Sequence, residues 1–356
     1  MQVHNFSAGP AILPKSVMEA AAQACVNFQE MGLSLLEISH RSAAFKAVLE
    51  EAEALVRALL DVKEDYGVLF LQGGASSQFF MAAMNLLGTD ETAAYVDTGT
   101  WSTKAIKEAK KFGGVDMVAS SKEKSYTYIP KDYSIAEGTK YLHITSNNTV
   151  RGTQYASFPD VNIPIVSDAS SDIFSRPIDI SKFGLIYAGA QKNMGPAGVT
   201  LVIVKKDLLG RINRDIPTML DYRTHIEKDS AFNTPPVFPL YVSMLNMRWV
   251  KAQGGVTAMA ERNAAKAKLM YEAIDASPLF ECPNAEEDRS VMNAVFVIKN
   301  KELEADFLAA CQAAHCNGVK GHRSVGGFRA SMYNAMGIES VEVLVEVMKT
   351  FTAKHA

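Results

Sequence analysis

The strongest constraint on this chain is a series of short apolar runs set between helix-length stretches. They are Val68 to Leu71, Ala93 to Val96, Val115 to Ala119, Tyr141 to Thr145, Ile163 to Ser167, Leu185 to Ala188 and Val199 to Val204. Runs this short, bounded by turn residues and alternating with helical patterns, read as strands whose crossovers are helices. The expected fold class is α/β, with a mostly parallel seven-stranded sheet. Ser42 to Leu60 carries Phe45, Val48, Leu49, Ala52, Leu55, Val56 and Leu59 at helical spacing, a single buried stripe. Ser16 to Met31 reads as a helix opened by a Ser16/Glu19 capping box and stopped by Gly32. Phe79 to Leu87, closed by Gly88, and Leu240 to Gln253 read as further helices. The pair Gly254-Gly255 then marks a change of domain. Beyond it come helix (Thr257 to Ile274), strand (Val291 to Ile298), helix (Glu304 to His315), strand (Phe328 to Tyr333) and helix (Val341 to Ala353), a smaller α+β unit.

Ligands of open α/β sheets collect at the carboxyl ends of the strands, so the residues that follow each run matter most. Leu185-Ile-Tyr-Ala188 leads into Gly189-Ala-Gln-Lys192-Asn193, a lone lysine before a glycine-rich return. Ile163-Pro-Ile-Val-Ser-Asp168 ends in a carboxylate. Gly67-Val-Leu-Phe-Leu71 runs into Gln72-Gly-Gly-Ala-Ser-Ser-Gln78 and then a helix, a turn whose free backbone N–H groups can cradle a phosphate. Alone, the lysine is more often a solvated loop residue, the aspartate a helix cap and the glycines an ordinary turn. In this order they supply what pyridoxal 5'-phosphate (PLP) needs: an amine, an anion for the ring nitrogen, and donors for the phosphate.

Other groups point outward to an anion. His40-Arg41-Ser42 places two basic residues before a helix N-terminus, where they cost about 0.3–1 kcal/mol unless an anion is near; the alternative is a solvated pair beside the N-cap Ser42. Within Phe328-Arg329-Ala-Ser-Met-Tyr333, the alternation sends Arg329 to the face opposite Phe328, Ala330 and Met332. There it grips a carboxylate or is an ordinary exposed arginine. Trp101, after the Ala93 to Val96 run, is either core or a stacking surface for a flat ring.

Composition removes whole classes of function. A net charge of −3 gives no broad nucleic-acid surface. Cys25, Cys282, Cys311 and Cys316 lack metal spacing and disulfide density, and the histidines form no ligand pair, so neither a metal nor an oxidising compartment is expected. No run approaches the ~20 apolar residues of a membrane span, and Met1 to Pro10 lacks the pattern of a signal peptide. A cytoplasmic location is expected. No Gly-x-Ser-x-Gly elbow supports a serine hydrolase.

At this point the chain resembles the phosphoserine aminotransferases of fold-type I PLP enzymes. The motifs are Asn5-Phe-Ser-Ala-Gly-Pro10, Ser39-His-Arg41, Gln72-Gly-Gly-Ala-Ser76, Arg176-Pro-Ile-Asp179, Ile186-Tyr-Ala-Gly-Ala-Gln-Lys-Asn193, Gly195-Pro-Ala-Gly198, Phe232-Asn-Thr-Pro-Pro236, Gly321-His-Arg323 and Gly326-Gly-Phe-Arg-Ala-Ser-Met-Tyr-Asn334. The resemblance implies a large PLP-binding domain over 14–255 and a small domain over 256–356 joined by 1–13. It implies Lys192 as the covalent anchor, Asp168 on the ring nitrogen, Trp101 stacked on the ring and Thr149 beside it. The phosphate would meet Ala75, Ser76 and Gln191, with Asn233 and Thr234 from the other subunit of a homodimer. Arg329 would hold the α-carboxylate, and His40 and Arg41 across the dimer, with His322 and Arg323, the distal phosphate or γ-carboxylate. The implied reaction moves an amino group between L-glutamate and 3-phosphohydroxypyruvate, giving 2-oxoglutarate and O-phosphoserine in serine biosynthesis; 4-phosphohydroxy-L-threonine, in pyridoxine biosynthesis, is a further substrate it allows. Ser76 and Ala8 depart from members with arginine and serine there, which bears on substrate affinity.

Two alternatives stay open. An aminotransferase for glyoxylate and small amino acids would share Lys192 and Asp168 but leave His40, Arg41, His322 and Arg323 without an anion to meet. A non-catalytic phosphate-binding α/β domain would use the Gly73-Gly74 turn alone. A cysteine desulfurase fits less well, because Cys311 and Cys316 fall in a helical pattern rather than on a loop.

Overall fold

The computed structural model describes residues 2–355. The first half contains β1 (His4–Asn5), α1 (Lys15–Val26), α2 (Ala43–Leu60), β2 (Tyr66–Leu71), α3 (Gly74–Leu86), β3 (Thr92–Asp97), α4 (Thr100–Ala109), β4 (Gly114–Ser120), β5 (Leu142–Thr145), β6 (Asn147–Asn148) and β7 (Thr153–Gln154). The second contains β8 (Ile165–Asp168), β9 (Phe183–Gly189), β10 (Thr200–Lys205), α5 (Tyr222–Glu227), α6 (Val237–Ala252), α7 (Gly255–Asp275), β11 (Phe280–Glu281), β12 (Asn293–Ile298), α8 (Glu304–Ala313), β13 (Cys316–Asn317), β14 (Phe328–Ser331) and α9 (Ile338–His355).

The seven strands expected before Gly254 join one seven-stranded sheet in the order β2-β10-β9-β8-β5-β3-β4. Only β10 is antiparallel, to both neighbours, so β2 points the same way as β9. The carboxyl ends of β2, β3, β5, β8 and β9 therefore share one edge. Both faces are covered over β2, β3, β5 and β8 to β10, which is why those runs read as continuously apolar; the edge strand β4 leaves Asp116 and Met117 exposed. In β9, Leu185 and Tyr187 pack toward α3 and α4, while Ile186 and Ala188 join the core that contains the stripes of α2 and α6. The α2 stripe is buried as its spacing predicts; each such large apolar side chain contributes roughly 1.5–3 kcal/mol relative to exposure. Ser42 caps α2, its Oγ accepting from Phe45 N at 3.3 Å.

Several local expectations need correction. Pro14, not Ser16, is the N-cap of α1, with no side-chain cap, and Ser16 and Glu19 lie exposed within the helix. The helix stops at Val26, because Gln29 takes a left-handed conformation (φ 51°) in the 3-10 turn that follows. α3 begins at Gly74 rather than Phe79: Gly73 at φ 93° turns the chain straight into the helix, and a Cβ there would lie 1.9 Å from Ser77 Oγ. Cys316 opens β13 instead of continuing α8, pairing in parallel with β1. β14 ends at Ser331, before Met332 and Tyr333, whose carbonyls turn to accept from Lys266.

β12 pairs antiparallel with β11 and β14. Phe280, Phe296, Phe307, Phe328 and Phe351 form its core with Phe6 from the N-terminal segment. Met259, early in α7, packs into the core of the large sheet, whereas Ala267, Met270 and Ile274 pack into this second core. No helix among the described residues is long and apolar enough to cross a membrane.

Candidate active site

A cavity of about 440 Å³ opens at the carboxyl edge of the sheet. The β2–α3 turn brings Gly73, Gly74, Ala75 and Ser76 to it, the first turn of α4 brings Trp101, and Thr149 follows β6. Asp168 is the last residue of β8, and Gln191 and Lys192 follow β9. His322 and Arg329 reach in from the smaller unit. Residues far apart in sequence meet because adjacent parallel strands all end here.

Lys192 Nζ donates to Thr149 Oγ1 at 2.7 Å and stands 5.4 Å from the centre of the Trp101 ring. Burial pushes its pKa down to about 8; the Asp168 carboxylate opposes that shift and the Arg329 guanidinium assists it. Neutralising a lysine of pKa 8 at pH 7 takes about 1.4 kcal/mol, against roughly 4–5 for an unperturbed one. Burial pushes Asp168 the other way, above the usual carboxylate range, although the Lys192 charge and the Ser170 amide, 3.0 Å away, favour its anion. A carboxylate so enclosed calls for a cationic partner in the cavity.

Donors also remain to be used. α3 starts at the cavity wall, and the first amides of a helix have no acceptor within it. Among the described residues Trp101 Nε1 and Arg329 Nε are buried without a partner. Arg329 Nη1 donates to Thr149 O at 3.1 Å, which fixes the guanidinium and leaves its other edge for a ligand. A flat, phosphorylated ring with a protonated nitrogen fits this set: Asp168 for the nitrogen, Trp101 for the face, α3 for the phosphate and Lys192 for the anchor.

Within one chain, the remaining expected residues do not line this cavity. His40 and Arg41 border a different one, with Lys46 and Lys228. Asn233 lines a neighbouring cavity that shares Gly73 with this one. Thr234 is exposed, its carbonyl accepting from Gln72 Nε2 at 3.2 Å. Arg323 lies exposed on the loop beyond His322.

Sequence reasoning missed Ser170, Val150 and Gly9 as lining residues. Ser170 was legible: two residues after an aspartate, its amide is the usual acceptor-seeking donor of an Asx turn. Gly9 was not, because its reason is tertiary. The N-terminal segment crosses the Lys192 stem so closely that a Cβ at Gly9 would sit 3.2 Å from Lys192 Cγ.

The aminotransferase class-V family matches residues 3–344. The chain is 57% identical, over 100% of both sequences, to a phosphoserine aminotransferase of Parabacteroides distasonis. Among solved structures, phosphoserine aminotransferase from Bacillus circulans subsp. alkalophilus is similar with a TM-score of 0.97 and 45% identity, covering 100% of this chain and 99% of that one. PLP-bound phosphoserine aminotransferase from Trichomonas vaginalis is similar with a TM-score of 0.93 and 38% identity, covering 98% of this chain and 100% of that one.

Proposed function

The chain belongs to the phosphoserine aminotransferases of the aminotransferase class-V family, and from that premise we propose how its own residues divide the work. The reaction is reversible amino transfer between L-glutamate and 3-phosphohydroxypyruvate, giving 2-oxoglutarate and O-phosphoserine, with PLP as cofactor. Bound PLP supplies a carbonyl carbon that takes up the amino group and a protonated ring that draws electrons from the substrate Cα. Lys192 would anchor the cofactor, and its amine, near pKa 8, is suited to carry the proton to and from the substrate Cα. Thr149 Oγ1 holds that amine in place. Asp168 holds the ring nitrogen in its protonated form. Arg329 binds the α-carboxylate that every amino donor presents, and Trp101 covers the ring face.

The distal anion falls to His322 and Arg323 of one subunit with His40 and Arg41 of the other, and Asn233 and Thr234 likewise serve the partner's phosphate cradle. A homodimer is supported by apolar exposure just before His40: Val26 is 76% exposed and Leu36 62%, with Met31 and Leu33 beside them. The same reading places the boundary of the large domain at 14–255, the small domain at 256–356 with 1–13, and the protein in the cytoplasm, where its four free cysteines stay reduced. Turnover of 4-phosphohydroxy-L-threonine belongs to it as well, since that molecule offers the same two anions.

The observation that carries these assignments is the meeting of Lys192, Asp168, the α3 N-terminus and Arg329 in one cavity. They are tested by comparing amino donors. O-phosphoserine should exceed serine and alanine in kcat/KM by about 10²–10⁴-fold, the worth of two charge-assisted hydrogen bonds, and Arg323→Ala should narrow that gap. Equal losses for every donor in Arg323→Ala would remove Arg323 from the distal site. Asp168→Asn should lower kcat by about 10²–10³-fold, the usual effect of losing one preorganised electrostatic partner, with the fold intact by circular dichroism. A loss under tenfold would show that the ring nitrogen does not need this carboxylate.

A further inference from the structure

Lys266, on α7, lies outside the cavity and is 1% exposed. Its Nζ donates to Met332 O at 2.9 Å, Tyr333 O at 2.8 Å and Met336 O at 3.1 Å. An ammonium has three protons, and all are used on one turn. That turn follows β14 directly and so follows Arg329. Asn263, one helical turn before Lys266, donates to Asn334 Oδ1 at 2.8 Å. The Asn334 amide donates to Asn193 Oδ1 at 2.9 Å, and its side chain to Phe174 O at 2.8 Å. Asn193 is the neighbour of Lys192. Tyr333 Oη, from the same turn, donates to Ala8 O at 2.7 Å, beside the glycine that crosses the Lys192 stem.

We propose that Lys266 is a positioning residue: with Asn263 and Asn334 it locks the turn 332–336 against the Lys192 loop, and so sets where Arg329 meets the substrate α-carboxylate. Burying a lone ammonium is a poor route to stability, since an apolar side chain of similar volume packs without the desolvation cost. What the ammonium adds is three directional bonds to a single turn. The consequence is transmitted along β14, where Arg329 lies two residues before the end of the strand. The inference rests on Arg329 being the carboxylate-binding group.

The test is a double-mutant cycle between Lys266→Met and Arg329→Lys in PLP-loaded enzyme. Its readouts are KM for glutamate and O-phosphoserine and the dissociation constant of succinate as an unreactive dicarboxylate. Lys266→Met alone should raise all three by about tenfold, equally for the two donors, and by no more than about twofold when Arg329 is already lysine, the non-additivity of coupled sites. Equal effects in both backgrounds, or a rise confined to one donor, overturn the positioning role while leaving the assignment of Arg329 standing. If Arg329→Lys itself changes nothing, both fall. Should Lys266→Met fail to fold, Asn263→Ala enters the same cycle and is judged by the same outcomes, because it loosens the turn without emptying the ammonium site.

Discussion

Lys192→Ala is expected to lower kcat for O-phosphoserine by about 10⁴-fold or more, the upper range of general acid–base catalysis, while the protein still folds. On the proposed assignment Lys192 carries the proton, and its amine is held by Thr149 at 2.7 Å and pushed down to about 8 by burial. Because its pKa is lowered, the neutral amine gains population as pH rises through about 8, and the residual activity of the variant should lose any dependence on pH in that range. Borohydride treatment of the wild-type holoenzyme followed by peptide mapping should mark Lys192 alone. The informative competitor is Lys266, whose pKa burial also pushes down while the three carbonyls it donates to favour its charged form. A perturbed pKa by itself would nominate either lysine. Geometry separates them, since Lys266 spends its protons on three carbonyls and lines no part of the cavity. A mark on Lys266 would overturn the site.

Activity should return when two inactive variants share a dimer. If Lys192 serves its own subunit while Arg41 reaches the partner's site, neither a Lys192→Ala nor an Arg41→Ala homodimer has an intact site. A mixed dimer has one, built from Lys192 of the Arg41→Ala chain and Arg41 of the Lys192→Ala chain. Random exchange in an isologous dimer makes half the molecules mixed, each with one good site of two, so recovery should approach about one quarter of wild-type activity. The structural motive is that His40 and Arg41 border a cavity separate from that of Lys192, although the site has a distal anion to bind. Co-refolding the variants and assaying O-phosphoserine turnover decides the matter. Verified mixed dimers with no more activity than the separate variants would return His40 and Arg41 to their own subunit, or to no substrate at all.

The order of elements along the chain was legible because each depends on local pattern. The α2 stripe and the runs that became β2 to β5 and β8 to β10 follow from periodicity and length, and hydrophobic burial enforces both. Element ends were less legible. The start of α3 depends on Gly73 in a left-handed conformation, and the end of β14 depends on a lysine from another helix. A capping box at Ser16 and Glu19 is a local motif, yet the chain enters α1 through Pro14 and leaves it unused.

By itself, the sequence determined the α/β class, the strand-end placement of Asp168 and Lys192, the glycine turn before α3, and the family to which these motifs belong. Those are consequences of short-range chemistry: strand ends, turn residues and helix starts are written within a few neighbouring positions. Tertiary structure alone decided which strand ends adjoin, because strand order is set by long-range pairing that no local pattern encodes. It decided that Gly9 lies on Lys192, that Thr149 joins the lysine to Arg329, and that His40 and Arg41 stand apart from the cavity of their own chain. It also decided the ionisation of the site. Lys192 is shifted only by the burial and the opposed charges that folding gathers around it, and that environment does not exist until distant segments have packed.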